Sequence, residues 1–152
     1  MRVYIIRHGH AVPSHGSVPD AARWLHAEGR RLLGAAGTAL REAGVQFDAV
    51  VSSPLVRAVQ TAELLAAAVG YGNAVEALLE LAPDGSPGRV ADALPTRGLS
   101  VAAVGHEPSI STLAGHLAGR RLGAFRPGQV VCIEDGVARW SFDADALSFA
   151  RF

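Results

Sequence analysis

Two arginines and two histidines stand where a phosphate could be gripped. Arg7-His8-Gly9 closes a short run of β-branched and aromatic residues, Val3 to Ile6. A second block reads Ser52-Ser53-Pro54-Leu55-Val56-Arg57-Ala58-Val59-Gln60-Thr61-Ala62, and a third ends in Gly105-His106. Arginine forks match the oxygens of a phosphate in pairs, and an imidazole can donate, accept or attack. Gly9 allows a sharp turn and a close backbone approach to a ligand. Taken singly, each feature has a plainer reading. An arginine in the first turn of a helix is usually solvated, and a histidine after a strand usually caps a turn. Their chemistry depends on the elements that would bring them together.

Those elements follow from periodicity. Val3–Ile6, Ala49–Ser52 and Ser100–Val104 are short apolar runs bounded by turn residues, which predicts buried strands; Ala74–Leu78 is a weaker one. Between them lie helical patterns: Glu28–Ala43, then a helix from Ser53-Pro54 to about Val69, a short one over Arg89–Leu94, and one from Pro108 to Leu117. Ser53 is expected as N-cap with Pro54 at the first helical position. Gln129–Ile133 and Val137–Phe142 flank Asp135-Gly136, a hairpin signal. The tail after Asp143 has no clear pattern. The alternation predicts a three-layer α/β/α sandwich. Its central sheet is mostly parallel, with an antiparallel edge, and residues 1–152 form one domain. Parallel strands end on one edge, so Arg7, His8, Arg57 and His106 would converge there beside the positive end of a helix.

Composition narrows the classes. Lys plus Arg and Asp plus Glu each number 14, so no global charge points to nucleic acid. Cys132 is the single cysteine, which excludes an internal disulfide and a cysteine-ligated zinc cluster. No signal peptide and no long apolar run is evident, so a cytoplasmic protein without a membrane partner is expected. The sequence carries no signal for oligomeric state.

The Arg-His-Gly start, the Ser-Ser-Pro-x-x-Arg-Ala-x-Gln-Thr-Ala block and the late Gly-His resemble the histidine phosphatase superfamily, with its phosphoglycerate mutase-like fold, over nearly the whole chain. The short length, Leu79-Glu80-Leu81-Ala82-Pro83-Asp84-Gly85 and Val104-Gly105-His106-Glu107-Pro108 look most like the small SixA-type phosphohistidine phosphatases. The resemblance implies that His8 is a nucleophile forming a phosphohistidine intermediate, with a Gly9 carbonyl as candidate for fixing its tautomer. It implies that Arg7, Arg57 and His106 hold the phosphoryl oxygens, His106 being protonated when phosphate is bound, with Gly9 lining the site. Glu80 occupies the place of the family's acid, with Asp84 as the alternative. No metal or organic cofactor is implied. About ten residues separate the third strand from the next helix, leaving little material for a lid. An open site suits a phosphohistidine protein as partner first, a small phosphomonoester such as a sugar or nucleotide phosphate second, and a mutase poorly. A non-catalytic phosphate-binding protein is the remaining alternative.

Other residues are assigned lesser parts. His10 and His15 sit where they could line the mouth. His26 and His116 read as structural or surface residues, Trp24 and Trp140 as packing residues, and Arg30-Arg31 and Arg120-Arg121 as solvated basic pairs.

Overall fold

A computed structural model describes residues 1–14 and 16–152; the expectation for His15 falls outside the described residues. Its strands are β1 (Arg2–Arg7), β2 (Ala49–Ser52), β3 (Glu76–Ala77), β4 (Ser100–Gly105), β5 (Val130–Glu134), β6 (Val137–Asp143) and β7 (Ser148–Arg151). The helices are α1 (Ala27–Glu42), α2 (Val56–Val69), α3 (Pro87–Ala93) and α4 (Ser109–Ala118). The seven strands form one sheet in the order β3-β2-β4-β1-β5-β6-β7. β3, β2, β4 and β1 are mutually parallel; β5, β6 and β7 are antiparallel. The antiparallel edge is one strand broader than expected, because residues 148–151 pair with β6. Those residues are all exposed and so lack the apolar pattern that would announce a strand.

Alternation along β1 divides the core. Tyr4 and Ile6 face one layer, with Leu33 and Leu40 of α1, Leu65 of α2 and Phe142 of β6. Val3 and Ile5 face the other, with Val90 of α3 and Ile110 and Leu113 of α4. This is the period-two consequence of the pleat, applied to a strand covered on both faces.

Glycines let α1 sit close to its neighbours. A Cβ on Gly37 would lie 2.4 Å from Ala68 Cβ of α2, and one on Gly29 would lie 2.3 Å from the His10 carbonyl oxygen. The close packing is thus against α2 and the first loop. α1 starts earlier than its apolar pattern suggests, because His26 caps it: Gly29 N donates to His26 Nδ1 at 2.9 Å. The expected strand over 74–78 shrinks to Glu76–Ala77, since β3 is an edge with a single neighbour. Trp140 packs against Tyr4 and Phe149 as expected. Trp24 does not: it is 42% exposed. Among the described residues, no helix is long and apolar enough to cross a membrane.

Candidate active site

Register brings three strand ends level. Arg7 pairs with Gly105, and Ser52 pairs with Val104. The next residues, His8, Ser53 and His106, therefore leave the sheet side by side. Two backbone bonds hold the exits: His8 N donates to Gly105 O at 3.0 Å, and Ser53 N to Val104 O at 2.9 Å.

His8 is buried, and its Nδ1 lies 2.7 Å from the Gly9 carbonyl oxygen. A carbonyl can only accept, so Nδ1 carries the proton and Nε2 keeps its lone pair. Arg57 Nε donates to that Nε2 at 3.3 Å. Burial, helped by the charges of Arg57 and Arg7, lowers the His8 pKa to about 4, so the ring is neutral at pH 7. Thr61 ties this turn to α2: Gly9 N donates to its Oγ1 at 3.0 Å, and that hydroxyl donates to Arg57 O at 2.7 Å.

Arg57 is buried in the first turn of α2. Its Nη1 donates to Asp20 O at 2.7 Å and its Nη2 to Asp20 Oδ2 at 3.2 Å. The Asp20 carboxylate also accepts from Arg23, and these arginines hold it below the usual carboxylate range. Arg7 is anchored differently, by Nη1 donating to the Phe125 carbonyl at 2.7 Å. Burial lowers its pKa.

His106 stands 5.1 Å from His8, ring centroid to ring centroid. Its Nε2 pairs with Ser53 Oγ at 2.7 Å. Burial first, then repulsion by His8 and Arg57, lowers its pKa to about 3. Arg7 Nε and His106 Nδ1 are buried without a hydrogen-bond partner among the described residues. Buried polar atoms of this kind are costly unless a bound group partners them. Guanidinium and imidazole groups of this kind can hold a tetrahedral oxyanion.

Arg7, His8, Gly9, Arg57 and His106 thus meet at one sheet edge. Glu80 lies to one side, half-buried in a single 3-10 turn (Leu79–Leu81), and lines a small crevice with His106, Gly105 and Ser109. A Cβ on Gly85 would fall 2.1 Å from the Glu80 carbonyl oxygen, so glycine is required for the loop to fold against Glu80. Asp84 is exposed and outside that crevice. His10 is engaged by Asp145 at 2.9 Å and stacks on His26. Among the described residues, no group of three His, Cys, Asp or Glu side chains has metal-binding spacing.

One expectation needs correction: Ser53 does not cap α2. Its Oγ accepts from Leu55 N, two residues on, and pairs with His106, while Leu55 is the N-cap and Pro54 lies before the helix. The buried face of α2 carries Arg57, Ala58, Thr61, Ala62, Leu65 and Ala66, while Leu55 and Val59 are half-buried. Sequence reasoning did not single out Asp20, and it gave Ser53, Thr61 and Glu107 no contact with the site. The Asp20-x-x-Arg23 spacing was the one available signal for Asp20; the Phe125 carbonyl has no side-chain signature at all.

The histidine phosphatase superfamily (branch 1) model matches residues 3–82. An uncharacterized protein of Picosynechococcus sp. is 32% identical over 149 residues, covering 91% of this chain and 88% of its own length. The structure of the protein histidine phosphatase SixA complexed with tungstate superposes with a TM-score of 0.87 at 26% identity, covering 97% of this chain and 100% of that one. Phosphoglycerate mutase from Bacillus anthracis shares the fold, with a TM-score of 0.65 at 17% identity over 90% of this chain and 89% of its own.

Proposed function

Because the chain belongs to the histidine phosphatase superfamily (branch 1), we propose that it is a metal-independent phosphatase that removes the phosphoryl group from phosphohistidine in proteins. One observation carries the reading: His8 keeps its Nδ1 proton on the Gly9 carbonyl and turns an unprotonated Nε2 toward Arg57, whose Nε donates to it at 3.3 Å.

The chemistry follows from that tautomer. A phosphoryl group enters, and Arg57, Arg7 and His106 hold its three oxygens. His8 Nε2 attacks phosphorus, forming a P–N bond as the bond to the leaving group breaks. A phosphohistidine ring that carries a proton on its other nitrogen leaves as neutral imidazole, the departing nitrogen keeping the P–N electron pair; a leaving alkoxide takes a proton from Glu80, the carboxyl that shares a crevice with His106. Water then attacks phosphorus, the P–N bond to His8 breaks, and inorganic phosphate leaves. The arginines stabilise charge on the equatorial oxygens in both steps. Arg57 exchanges its contact with Nε2 for one with a phosphoryl oxygen. Every step uses side chains only, so no cofactor is required.

The protein substrate is favoured by the shape of the rim. Only residues 78–86 connect β3 to α3, and part of that span folds back against Glu80. That leaves little chain to cover a small substrate or to keep water from a phosphoenzyme, as a mutase must. The likeness to the SixA histidine phosphatase points the same way.

The test is hydrolysis in EDTA of a phosphohistidine protein and of p-nitrophenyl phosphate, by wild type and His8→Ala. Faster turnover of the protein, lost in the variant, is expected. Preference for the ester would move the reading to a small-molecule phosphatase. Full loss of wild-type activity in the chelator would remove the metal-independent mechanism.

A further inference from the structure

Arg7 and Arg57 are both buried or half-buried guanidiniums at the anion site, but they are held by different means. Arg57 has a carboxylate directly on it. Arg7 has a backbone carbonyl, that of Phe125, in the segment joining α4 to β5. A carbonyl in a connecting segment fixes an arginine only as well as the segment itself is fixed. The residue that fixes it is Glu107, immediately after His106. Its Oε1 accepts from Phe125 N at 3.1 Å, and its Oε2 accepts from Ser111 Oγ of α4 at 2.7 Å. One carboxylate therefore clamps the Phe125 residue to the start of α4, and the carbonyl of that same residue holds Arg7.

We propose that Glu107 is a positioning residue for Arg7, acting through the Phe125 backbone to aim the Arg7 guanidinium at the bound phosphoryl group. The guanidinium is planar, so fixing Nη1 fixes the direction of Nε, the buried donor without a partner. Two further features fit this role. Phe125 is buried in the core, so its backbone has little freedom once Glu107 holds its N–H. The negative charge of Glu107 also favours the charged form of Arg7, against the burial that disfavours it. Glu107 acts only through other residues, its carboxylate accepting from Phe125 N and Ser111 Oγ.

The proposal rests on the reading of Arg7 as a phosphoryl ligand, so the test separates the two. Tungstate binding is measured by calorimetry for wild type, Arg7→Ala, Glu107→Ala, Glu107→Gln and the Arg7→Ala/Glu107→Ala pair. Losing one hydrogen bond that orients a charged donor should weaken binding about ten-fold in Glu107→Ala. Glu107→Gln keeps an acceptor for Phe125 N and should stay within about three-fold of wild type. In the Arg7→Ala background, Glu107→Ala should cost nothing more, since contacting residues are non-additive when one acts through the other. If Glu107→Ala does not fold, Glu107→Asp replaces it: the shorter side chain keeps the charge but loses the reach, and about the same ten-fold loss is expected. Unchanged tungstate affinity in Glu107→Ala or Glu107→Asp, or a Glu107 penalty that persists without Arg7, would overturn the proposal. Unchanged affinity in Arg7→Ala alone would instead overturn the reading of Arg7 as a ligand, and the Glu107 proposal with it.

Discussion

The two halves of the sheet, the parallel β3-β2-β4-β1 and the antiparallel β5-β6-β7, bury different kinds of residue. Every buried polar or charged residue among the described residues, His8, Ser52, Ser53, Arg57, Thr61 and His106, belongs to the carboxyl edge of β1, β2 and β4 or to α2, which follows β2. Buried residues of the antiparallel half are apolar: Val130, Val131, Cys132 and Ile133 of β5, and Ala138 and Phe142 of β6. Connectivity explains the contrast. A parallel strand is followed by a crossover helix whose positive end begins at the edge where its neighbours also stop. An antiparallel strand is followed by a tight turn, here Asp135-Gly136, and delivers no helix end. Polar groups can be buried at the first edge because backbone carbonyls and neighbouring side chains partner most of their atoms there. At the second, nothing would partner them.

The comparison predicts that substitutions in the two halves separate activity from stability. Arg57→Ala should lower kcat/KM by roughly 10³, the scale of losing a preorganised donor to developing charge. Phe142→Ala should cost about 3–5 kcal/mol of unfolding free energy, as a large core truncation does, while the folded fraction keeps its kcat/KM. Steady-state kinetics on matched folded protein and urea melts read the pair. A Phe142→Ala enzyme with impaired kcat/KM would break the division.

Acid should attack the site half first. His8 and His106 titrate at about 4 and about 3 in the fold. In the unfolded chain a histidine titrates near 6.5, so below that pH the unfolded state binds protons that the folded state refuses. Stability is therefore full above about pH 6.5 and drains as pH falls toward the folded values, by an amount on the order of a few kcal/mol. His106→Asn should flatten that slope in denaturant melts between pH 6.5 and 4; an unchanged slope would mean that His106 is not buried neutral. The smallest effect is expected from Ser53→Ala, which frees His106 Nε2 and should reduce kcat/KM by about ten-fold at most, with the global fold intact.

Much of the site edge was legible because its residues follow strand ends at short, fixed distances. The β-branched run before Arg7, the run before Ser52 and the run before Gly105 each announce a buried strand, and parallel pairing alone then brings His8, Arg57 and His106 together. The supports were less legible. Ser53-Pro54 looks like a helix start, yet the Ser53 hydroxyl serves a histidine some fifty positions away, which local propensity cannot register. Asp20 lies in a loop rich in glycine and proline, where nothing periodic marks its side chain. Arg7 is held by a carbonyl, which every residue has. β7 was invisible because an exposed edge strand needs no apolar face.

The proposed mechanism requires that His8 become covalently phosphorylated. The direct measurement is rapid acid-free quenching of wild type and His8→Asn during turnover of a 32P-labelled phosphohistidine protein, followed by peptide mapping of the enzyme. Label on the His8 peptide, stable to base, released by acid and absent from His8→Asn, is the predicted result. Turnover by wild type with no label on His8, or label that persists in His8→Asn, would contradict it.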